Sequence, residues 1–394
     1  MTIELSDRVE SVGPSGIRRF FEIAEERDDV ISLGVGEPDF STPWAARDAA
    51  IASLEQGKTS YTANRGKREL REAISRYVED RFDLEYGADE EILVTAGASE
   101  AVDLAFRAIV DPGDTVAVAQ PSYISYEPGV IFAGGEVLSV PTRETDDFRL
   151  TVEELERAGA ADADVLVICY PNNPTGAIMT RADLEPIAAF AREHDLTVLS
   201  DEIYAELTYD DTDHTSIASL KGMRERTVVF NGFSKAHAMT GLRLGYALGP
   251  AEAIGAMNRI HQYTMLSAPT TPQYAALEAL DSCEDDVRKM VDQYDRRRRF
   301  VLSRFREIGM ACFEAKGAFY VFPEVPSGWT AEEFAEELLH EQGVAAVPGD
   351  VFGDGAEGHL RVSYATGLED LKEALNRIEA FLEERNEVAP IDDS

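Results

Sequence analysis

Short apolar runs alternate with helical patterns through the middle of the chain, from about residue 90 to residue 250. The runs have the length and the β-branched content of buried strands, and they lie at residues 92–95, 115–119, 165–169, 196–200 and 227–230. Helical segments lie between them, such as residues 100–110 and 183–193, where apolar residues recur on one face. This alternation predicts an α/β fold with a mostly parallel central sheet flanked by helices.

Both ends of the chain follow a different pattern. Residues 1–44 carry little strand signal, whereas residues 286–394 combine three helical patterns with one short strand. The helices are predicted at residues 292–308, 331–341 and 368–385, and the strand at residues 318–322. We therefore expect a large domain over residues 45–285 and a smaller α+β domain over residues 286–394, with residues 1–44 as an N-terminal arm that forms part of the small domain.

The charge of the chain is strongly negative. Its 394 residues include 37 lysines and arginines against 74 aspartates and glutamates, which gives a net charge of −37 at pH 7. The acidic residues are spread along the chain, so nucleic acid and anionic membranes would be repelled, and the pattern is typical of a surface adapted to a salt-rich cytosol. Because there is no signal-peptide pattern and no apolar run near the roughly 20 residues of a membrane span, we expect a soluble, cytoplasmic protein.

Cysteine and histidine spacing indicates neither a disulfide framework nor a metal site. The three cysteines, Cys169, Cys283 and Cys312, show no CxxC spacing. The six histidines are scattered without a metal-ligand pattern. We therefore expect ordinary buried thiols and no bound metal.

Polar and glycine-rich segments follow the predicted strands, at the edge of the sheet where α/β proteins bind ligands. The first strand is followed by a glycine turn with Ala98 and Ser99, and then by a helix that is predicted to begin at residue 100. Free backbone N–H groups there suit an anion such as phosphate, although Ser99 could also be an ordinary helix cap. The third strand leads into YPNNPTG, which contains Asn173 and whose prolines and glycine could equally serve only the turn.

Charged residues follow the fourth and fifth strands. Asp201 and Tyr204 come after the fourth strand, and the fifth is followed by Ser234, Lys235 and Arg243. A carboxylate buried at a strand end needs a cationic partner, which a protonated ring nitrogen provides. A lysine acts as an amine nucleophile only where burial or a cationic neighbour such as Arg243 lowers its pKa. Each residue alone is explained as a surface charge or a structural ion pair, but the whole set matches a phosphorylated pyridine aldehyde.

Three motifs in a fixed order carry a family resemblance. They are NNPTG, SDEIY and SKAHAMTGLRLGY, and they lie between GVGEPDF near the beginning and LRVSYAT near the end of the chain. With these motifs the sequence resembles the fold type I pyridoxal 5′-phosphate enzymes, and within them the class I and II aminotransferases of the aspartate/aromatic group. The resemblance implies a pyridoxal 5′-phosphate cofactor. It also implies transfer of the amino group of an aromatic L-amino acid or of aspartate to a 2-oxo acid such as 2-oxoglutarate by a ping-pong mechanism.

The resemblance further implies roles for the residues at the strand ends. Lys235 would bind the cofactor aldehyde covalently and, once released by substrate, move the proton at the substrate Cα. Asp201 would pair with the pyridine nitrogen, and Asn173 and Tyr204 would donate hydrogen bonds to the phenolic oxygen. Tyr123, in PSYISY, matches the aromatic residue that stacks on the ring.

Several groups would hold the phosphate of the cofactor together. The resemblance implies the backbone of Ala98 and Ser99, the hydroxyl of Ser234 and the guanidinium of Arg243. Tyr61, in YTANRG, matches a tyrosine that reaches the phosphate of the neighbouring subunit. We therefore expect a homodimer whose active sites lie at the subunit interface.

Substrate contacts are also implied by the resemblance. Arg361, in LRVSY, is similar to the arginine that clamps the α-carboxylate, a role for which its planar fork is suited. Gly36 would bring its backbone to the same carboxylate, and Asn173 would contact substrate as well as cofactor. The ordinary alternative for Arg361 is one more ion pair with an acidic residue.

One position departs from the family pattern. Relatives specialised for dicarboxylates supply a cation for the distal carboxylate, but the corresponding loop position here is Ser99, and residues 262–271 contain no arginine or lysine. Burial of an unpaired distal carboxylate is costly, so we expect an aromatic or broad range of amino donors. If aspartate is preferred, Arg18 or Arg19 of the N-terminal arm is the first candidate for the missing cation.

Other functions use much of the same machinery. A different fold type I chemistry, such as alanine transamination, a β-lyase or an aminocyclopropane-carboxylate synthase, would need nearly the same cofactor residues. Aminotransferase-like domains also serve as ligand sensors of transcriptional regulators, but those carry a DNA-binding domain, and we expect this acidic chain to begin directly with its N-terminal arm. A non-catalytic scaffold is the last alternative, although every position that the chemistry needs is filled.

Overall fold

A computed structural model describes residues 3–14, residue 16 and residues 29–386 of the chain. The strands are β1 (Ile31–Ser32), β2 (Ile92–Thr95), β3 (Thr115–Gln120), β4 (Glu136–Pro141), β5 (Val165–Cys169), β6 (Thr197–Asp201), β7 (Thr227–Gly232), β8 (Gly245–Leu248), β9 (Tyr320–Val321), β10 (Val344–Ala345), β11 (Val347–Pro348) and β12 (Leu360–Ser363). The α-helices whose bounds are described are α1 (Asp7–Glu10), α2 (Trp44–Glu55), α3 (Arg68–Phe82), α4 (Ala98–Ile109), α5 (Tyr126–Ala133), α6 (Val152–Ala158), α7 (Arg181–Glu193), α8 (Ala251–Thr264), α9 (Thr270–Ser282), α10 (Glu284–Glu307), α11 (Ala331–Gln342) and α12 (Leu368–Asn386).

The centre of the molecule is a seven-stranded sheet with the strand order β2-β8-β7-β6-β5-β3-β4. Neighbouring strands run parallel except at β8, which is antiparallel to both β2 and β7. Strand β5, in the interior of the sheet between β6 and β3, is buried along its whole length, as its continuous apolar run predicts. The predicted α/β fold with a mostly parallel sheet is confirmed.

Two strands of this sheet are missing from the sequence prediction. Strand β4 lies at the sheet edge, is only partly buried and ends in a proline, so it lacks the continuous apolar run of its neighbours. Strand β8 is only four residues long, and it follows the loop that contains Lys235. The small residues of that loop give no strand pattern. The pairing of β8 with β2 sets Gly245 opposite Thr95, which brings the residues before β8 to the beginning of α4.

Element ends at the carboxyl edge of the sheet differ slightly from the prediction. Strand β6 ends at Asp201, so this residue is the last of the strand and does not follow it. Helix α4 begins at Ala98 with Gly97 as its N-cap, so the alternative that Ser99 caps the helix is wrong. Gly97 has a φ of 90°, a conformation that glycine adopts readily and other residues do not. No side chain caps α4, which leaves its first backbone N–H groups for a ligand.

The C-terminal part of the chain forms smaller sheets beside the large one. Strands β9, β11 and β12 make an antiparallel sheet in the order β11-β12-β9. Strand β1 pairs in parallel with β10, so the N-terminal arm contributes a strand that its two residues did not reveal in the sequence. Leu33, next to β1, lies in one core with Phe334 and Leu375.

The domain boundary at residue 285 stays a prediction. It falls in the first turn of α10, and this helix begins at Glu284, earlier than the predicted residue 292. None of the helices in the described residues has both the length and the apolar character that crossing a membrane requires.

Candidate active site

A cavity of about 600 Å³ lies at the carboxyl ends of β5, β6 and β7, beside the N-terminus of α4. All but one of the site residues predicted from the sequence lie on its wall: Gly36, Ala98, Ser99, Tyr123, Asn173, Asp201, Tyr204, Ser234, Lys235, Arg243 and Arg361. These residues are far apart in the chain, and the parallel strand order brings them together. The exception is Tyr61, which is 79% exposed and lies outside this cavity.

Lys235 follows β7 and reaches into the interior. Its Nζ donates a hydrogen bond to the backbone oxygen of Gly36 at 2.6 Å and lies 5.7 Å from the ring of Tyr204. Burial, followed by the positive charge of Arg361, lowers the pKa of Lys235 to about 8. Near neutral pH a fraction of the amine is therefore uncharged and can act as a nucleophile or a base.

Asp201 is a buried carboxylate at the end of β6. Its Oδ2 accepts a hydrogen bond from the Tyr126 hydroxyl at 2.7 Å, and its Oδ1 accepts one from the backbone N–H of Ile203 at 3.1 Å. Burial raises the pKa of Asp201 to about 6, and the Tyr126 hydrogen bond acts in the opposite direction. Both donors are neutral, so a cationic ring nitrogen would add the charge partner that a buried carboxylate needs.

One end of the cavity suits an anion. Ala98 and Ser99 form the first turn of α4, where backbone N–H groups and the helix dipole favour negative charge. Arg243 lies beside them, and its Nη1 donates a hydrogen bond to the backbone oxygen of Thr240 at 3.0 Å. A Cβ atom at Gly97 would lie 2.7 Å from Nη2 of Arg243, so a larger residue there would displace the guanidinium from its present position.

Arg361 is 3% exposed and tightly held. Its Nη1 donates a hydrogen bond to Oδ1 of Asn173 at 3.0 Å, and its Nη2 donates one to the backbone oxygen of Gly34 at 2.6 Å. The guanidinium lies 4.7 Å from the ring of Tyr320 and 4.8 Å from that of Phe352. Nε is buried and has no hydrogen-bond partner among the described residues. A fixed planar fork with a spare donor suits a carboxylate ligand.

The two asparagines of YPNNPTG serve different purposes. Asn172 supports the turn, because its Nδ2 donates to two backbone oxygens at 3.2 Å and its Oδ1 accepts from the backbone N–H of Thr175 at 3.0 Å. Asn173 lies on the cavity wall, where its Oδ1 accepts from Arg361. Because a guanidinium can only donate, this contact fixes the amide orientation and leaves Nδ2 of Asn173 as a donor for a ligand.

Two tyrosines of the cavity wall were missed in the sequence. Tyr126 bonds Asp201, and the hydroxyl of Tyr320 lies 3.0 Å from that of Tyr204. Tyr320 also accounts for Gly36, because a Cβ atom at residue 36 would collide with the Tyr320 hydroxyl. The tyrosine pair in PSYISY, directly after β3, is a signal that could have indicated Tyr126 as well as Tyr123. Tyr320 opens the short strand β9 and has no comparable local signal.

The donor set of the cavity fits a phosphorylated pyridine aldehyde. Arg243 and the N-terminus of α4 form an anion site, and Asp201 is a buried carboxylate. Asn173 and Tyr204 offer hydrogen-bond donors, and Lys235 is an amine with a lowered pKa. Each chemical group of such a cofactor therefore has a matching partner within one cavity.

Much of the remaining wall is apolar. Val102, Tyr123 and Ile124 line both this cavity and a neighbouring groove of about 580 Å³, which extends to Phe106 and Phe132. The groove therefore continues the cavity with a surface that suits an apolar or aromatic side chain.

Basic residues are few on the cavity wall. Within the described ranges of the chain they are Lys235, Arg243 and Arg361. The predicted alternatives Arg18 and Arg19 lie outside the described residues.

Known proteins resemble this chain over nearly its whole length. The family model for aminotransferase class I and II matches residues 28–378. An aspartate aminotransferase of Pyrococcus abyssi is 45% identical over 97% of this chain and 99% of that protein. Aromatic-amino-acid aminotransferase 2 of Thermococcus litoralis is 42% identical over 97% of this chain and 99% of that protein. The crystal structure of an aromatic aminotransferase from Pyrococcus horikoshii matches with a TM-score of 0.91 at 44% identity, over 97% of this chain and 99% of that one.

Proposed function

Because the chain belongs to the class I and II aminotransferases, which use pyridoxal 5′-phosphate, we propose that it transfers the amino group of an aromatic L-amino acid to a 2-oxo acid such as 2-oxoglutarate in a ping-pong reaction. One observation carries the proposal: Arg361, a buried guanidinium suited to an α-carboxylate, lies on the wall of a cavity that continues into an apolar groove.

The residues that would hold the cofactor phosphate lie at the N-terminus of α4. The phosphate oxygens would accept hydrogen bonds from the backbone N–H groups of Ala98 and Ser99 and from the hydroxyl of Ser234, while Arg243 supplies a positive charge. When bound, pyridoxal 5′-phosphate supplies a ring that withdraws electrons from the substrate Cα.

The groups around the ring would set its position and charge. Asp201, held by Tyr126, would face the ring nitrogen, and Tyr123 would cover one face of the ring. Nδ2 of Asn173 and the hydroxyl of Tyr204 would donate hydrogen bonds to the phenolic oxygen. Because the hydroxyls of Tyr204 and Tyr320 share a hydrogen bond, Tyr204 can accept from Tyr320 while it donates to the ligand.

Lys235 would transfer the proton at the substrate Cα. An amine with a pKa of about 8 can take up a proton and release it near neutral pH, which a lysine with its ordinary pKa of 10.5 does far less readily. The hydrogen bond from Nζ to the carbonyl oxygen of Gly36 shows that the amine reaches the part of the cavity where Gly36 and Arg361 lie.

Arg361 would orient the substrate by its α-carboxylate. Its hydrogen bonds to Asn173 and Gly34 fix the plane of the fork, so a bound carboxylate meets donors that are already in position. Amines that lack a carboxylate should therefore fail as donors.

The donor side chain would enter the apolar groove. A distal carboxylate buried there without a cation would lose several kcal/mol of hydration, a penalty that phenylalanine and tyrosine do not meet. Aspartate is the second candidate donor, because the P. abyssi relative is named an aspartate aminotransferase.

A donor panel tests the proposal. We would compare kcat/KM for phenylalanine, tyrosine, alanine and aspartate at high salt, with 2-oxoglutarate as acceptor, and quantify glutamate, pyruvate and ammonia. Aromatic donors with stoichiometric glutamate are expected. A strong preference for aspartate would contradict the proposed donor class, and release of pyruvate with ammonia would indicate a β-lyase.

The surface around Tyr61 supports a homodimer. Its loop is fixed by hydrogen bonds with the segment that follows α8 and with the first residue of α9, the shorter of them 2.6 Å from Nδ2 of Asn64 to the backbone oxygen of Leu266. Exposed large apolar residues occur on this loop, on α2 and at the end of α8: Trp44, Ile51, Leu54, Tyr61, Tyr263 and Met265. A second copy of the chain would cover them and bring Tyr61 to the phosphate site of its partner. The net charge of −37 favours a cytoplasm rich in salt.

A further inference from the structure

Three side chains that the proposed reaction does not use converge outside the active-site cavity. Glu144 begins the short helical turn Glu144–Asp146 after β4, Glu324 lies after β9, and His359 immediately precedes β12. One oxygen from each carboxylate and Nε2 of His359 all lie within 4.8 Å of one another.

His359 is held with Nε2 directed at the two carboxylates. It is 8% exposed, and its ring stacks on Phe322 with centroids 4.8 Å apart and planes 5° apart. Its Nδ1 lies 3.0 Å from the backbone oxygen of Glu357, which can only accept, so Nδ1 donates in this contact. In the tautomer that this contact selects, the Nε2 lone pair faces the two carboxylates. Nε2 is buried without a hydrogen-bond partner among the described residues.

No hydrogen bond joins Nε2 of His359 to either glutamate in the described part of the chain. Nε2 lies 3.7 Å from Oε2 of Glu144 and 4.0 Å from Oε1 of Glu324, both longer than a hydrogen bond. Burial, followed by a hydrogen bond with the carboxyl group of Glu324, raises the pKa of Glu144 to about 7, as expected for two acidic groups in close opposition.

We propose that Glu144, Glu324 and His359 form a binding site for a divalent transition-metal ion, with Zn²⁺ as its representative. One imidazole nitrogen with two carboxylate oxygens is a ligand set that Zn²⁺ accepts, with water in the fourth position, whereas Mg²⁺ and Ca²⁺ prefer oxygen ligands alone. A tetrahedral zinc ion holds its ligand atoms roughly 3.4 Å apart, so the glutamates need to approach Nε2 by less than about 1 Å. The side chain of Glu324 is 47% exposed and free enough to do so.

The bound ion would connect two parts of the fold. Glu144 belongs to the segment that follows the large sheet, whereas Glu324 and His359 form a β-bridge next to the small antiparallel sheet. Because the site is complete only when these parts are in contact, zinc would stabilise the folded chain by mass action. This inference does not depend on the proposed amino donor or on transamination.

Calorimetric titration of the pyridoxal 5′-phosphate-saturated protein with Zn²⁺ tests the site. The buffer would contain high KCl to screen diffuse binding by the acidic surface. We expect one zinc ion per chain. The zinc affinity should fall about tenfold or more in Glu144→Gln and in His359→Gln, and Mg²⁺ should bind at least about tenfold more weakly than Zn²⁺. Glu153→Gln, which removes an exposed carboxylate on α6 outside the cluster, is the matched control and should bind zinc like the unchanged protein.

Thermal unfolding provides a second readout. Zinc should raise the Tm of the unchanged protein and of Glu153→Gln by similar amounts, and that of Glu324→Gln by clearly less. The half-exposed side chain of Glu324 can be replaced without disturbing the core. If His359→Gln fails to fold by circular dichroism, Glu324→Gln decides the question. Equal zinc affinity in the unchanged protein and in Glu324→Gln, or equal affinity for Zn²⁺ and Mg²⁺, would overturn the proposal.

Discussion

The hydroxyl of Tyr126 donates a hydrogen bond to Asp201 at 2.7 Å in the interior of the molecule, where Tyr126 is 1% exposed. The contact joins the beginning of α5 to the end of β6, so a helix that follows β3 positions the carboxylate of another strand. Burial raises the pKa of Asp201 to about 6, and this hydrogen bond opposes the rise. Tyr126 therefore helps to keep the carboxylate charged near neutral pH.

The change Tyr126→Phe should make the enzyme more sensitive to acid. A hydrogen bond to a charged group contributes roughly 1.5–3 kcal/mol, so its loss raises the pKa of Asp201. The proposed role needs the ionised carboxylate, which is present above its pKa and lost as pH falls through it. The acid limb of the kcat/KM profile should then move to higher pH by roughly one to two pH units.

Tyr123→Phe is the matched control for this experiment. No hydrogen bond from the Tyr123 hydroxyl to Asp201 occurs in the part of the chain that the structure describes, so the acid limb should stay in place. An unmoved limb in Tyr126→Phe would show that the hydroxyl does not tune Asp201.

The change Asp201→Asn should leave the cofactor bound but slow the reaction. Loss of one preorganised electrostatic partner typically costs about 3–4 kcal/mol of transition-state stabilisation. Single-turnover kinetics with a good donor, beside a cofactor titration by absorbance, would separate the two effects. Near-normal turnover in Asp201→Asn would rule out its proposed role at the ring nitrogen.

The sequence indicates Lys235, Asp201 and Arg243 because each lies at or after a short apolar run. Parallel strands end at one edge of a sheet, so residues that are distant in the chain become neighbours without any long-range information. The turn asparagines and the glycine before α4 are also local signals, because the backbone conformation of a few neighbouring residues requires them. This part of the site therefore follows from patterns that can be read along the chain.

Contacts that depend on register and packing are a different matter. Tyr320 lies within the strand predicted at residues 318–322, but nothing in that run shows that β9 pairs with β12 or that the Tyr320 hydroxyl lies beside that of Tyr204. Glu144, Glu324 and His359 likewise have no spacing that resembles a metal motif, since three separate segments supply them. Strand β8 is hidden for the same reason, because its partners β2 and β7 define it more than its own four residues do.

The charge of Arg361 should tune Lys235. Burial and Arg361 lower the pKa of Lys235 to about 8, so Arg361→Gln removes a positive charge and should raise it. The uncharged amine is the form that reacts with the cofactor aldehyde, and it predominates above the pKa. The pH at which the apoprotein attaches pyridoxal 5′-phosphate at half its maximal rate, followed by absorbance and borohydride trapping, should therefore move upward.

Two further variants make the Lys235 experiment specific. Arg297→Gln removes a guanidinium that pairs with Asp39 at 2.8 Å and should leave the half-maximal pH unchanged. Lys235→Ala should give no borohydride-stable adduct at all. If Lys235→Ala still forms a reducible adduct and keeps full turnover, the assignment of the lysine is wrong.

Salt and Tyr61 provide the test of assembly. With a net charge of −37, two copies repel each other, and the screening length falls from about 8 Å at 0.15 M salt to about 3 Å at 1 M. We expect sedimentation to show a dimer at high salt, with dimer content and activity falling together as salt is removed.

Tyr61→Phe should keep the dimer but weaken cofactor binding by roughly tenfold, the effect of losing one hydrogen bond to phosphate. Trp44→Glu, which puts a charge on the exposed apolar surface of α2, should weaken both dimerisation and cofactor binding. A monomer with full activity and unchanged cofactor affinity would contradict the shared site, because Tyr61 is exposed and does not line the cavity of its own chain.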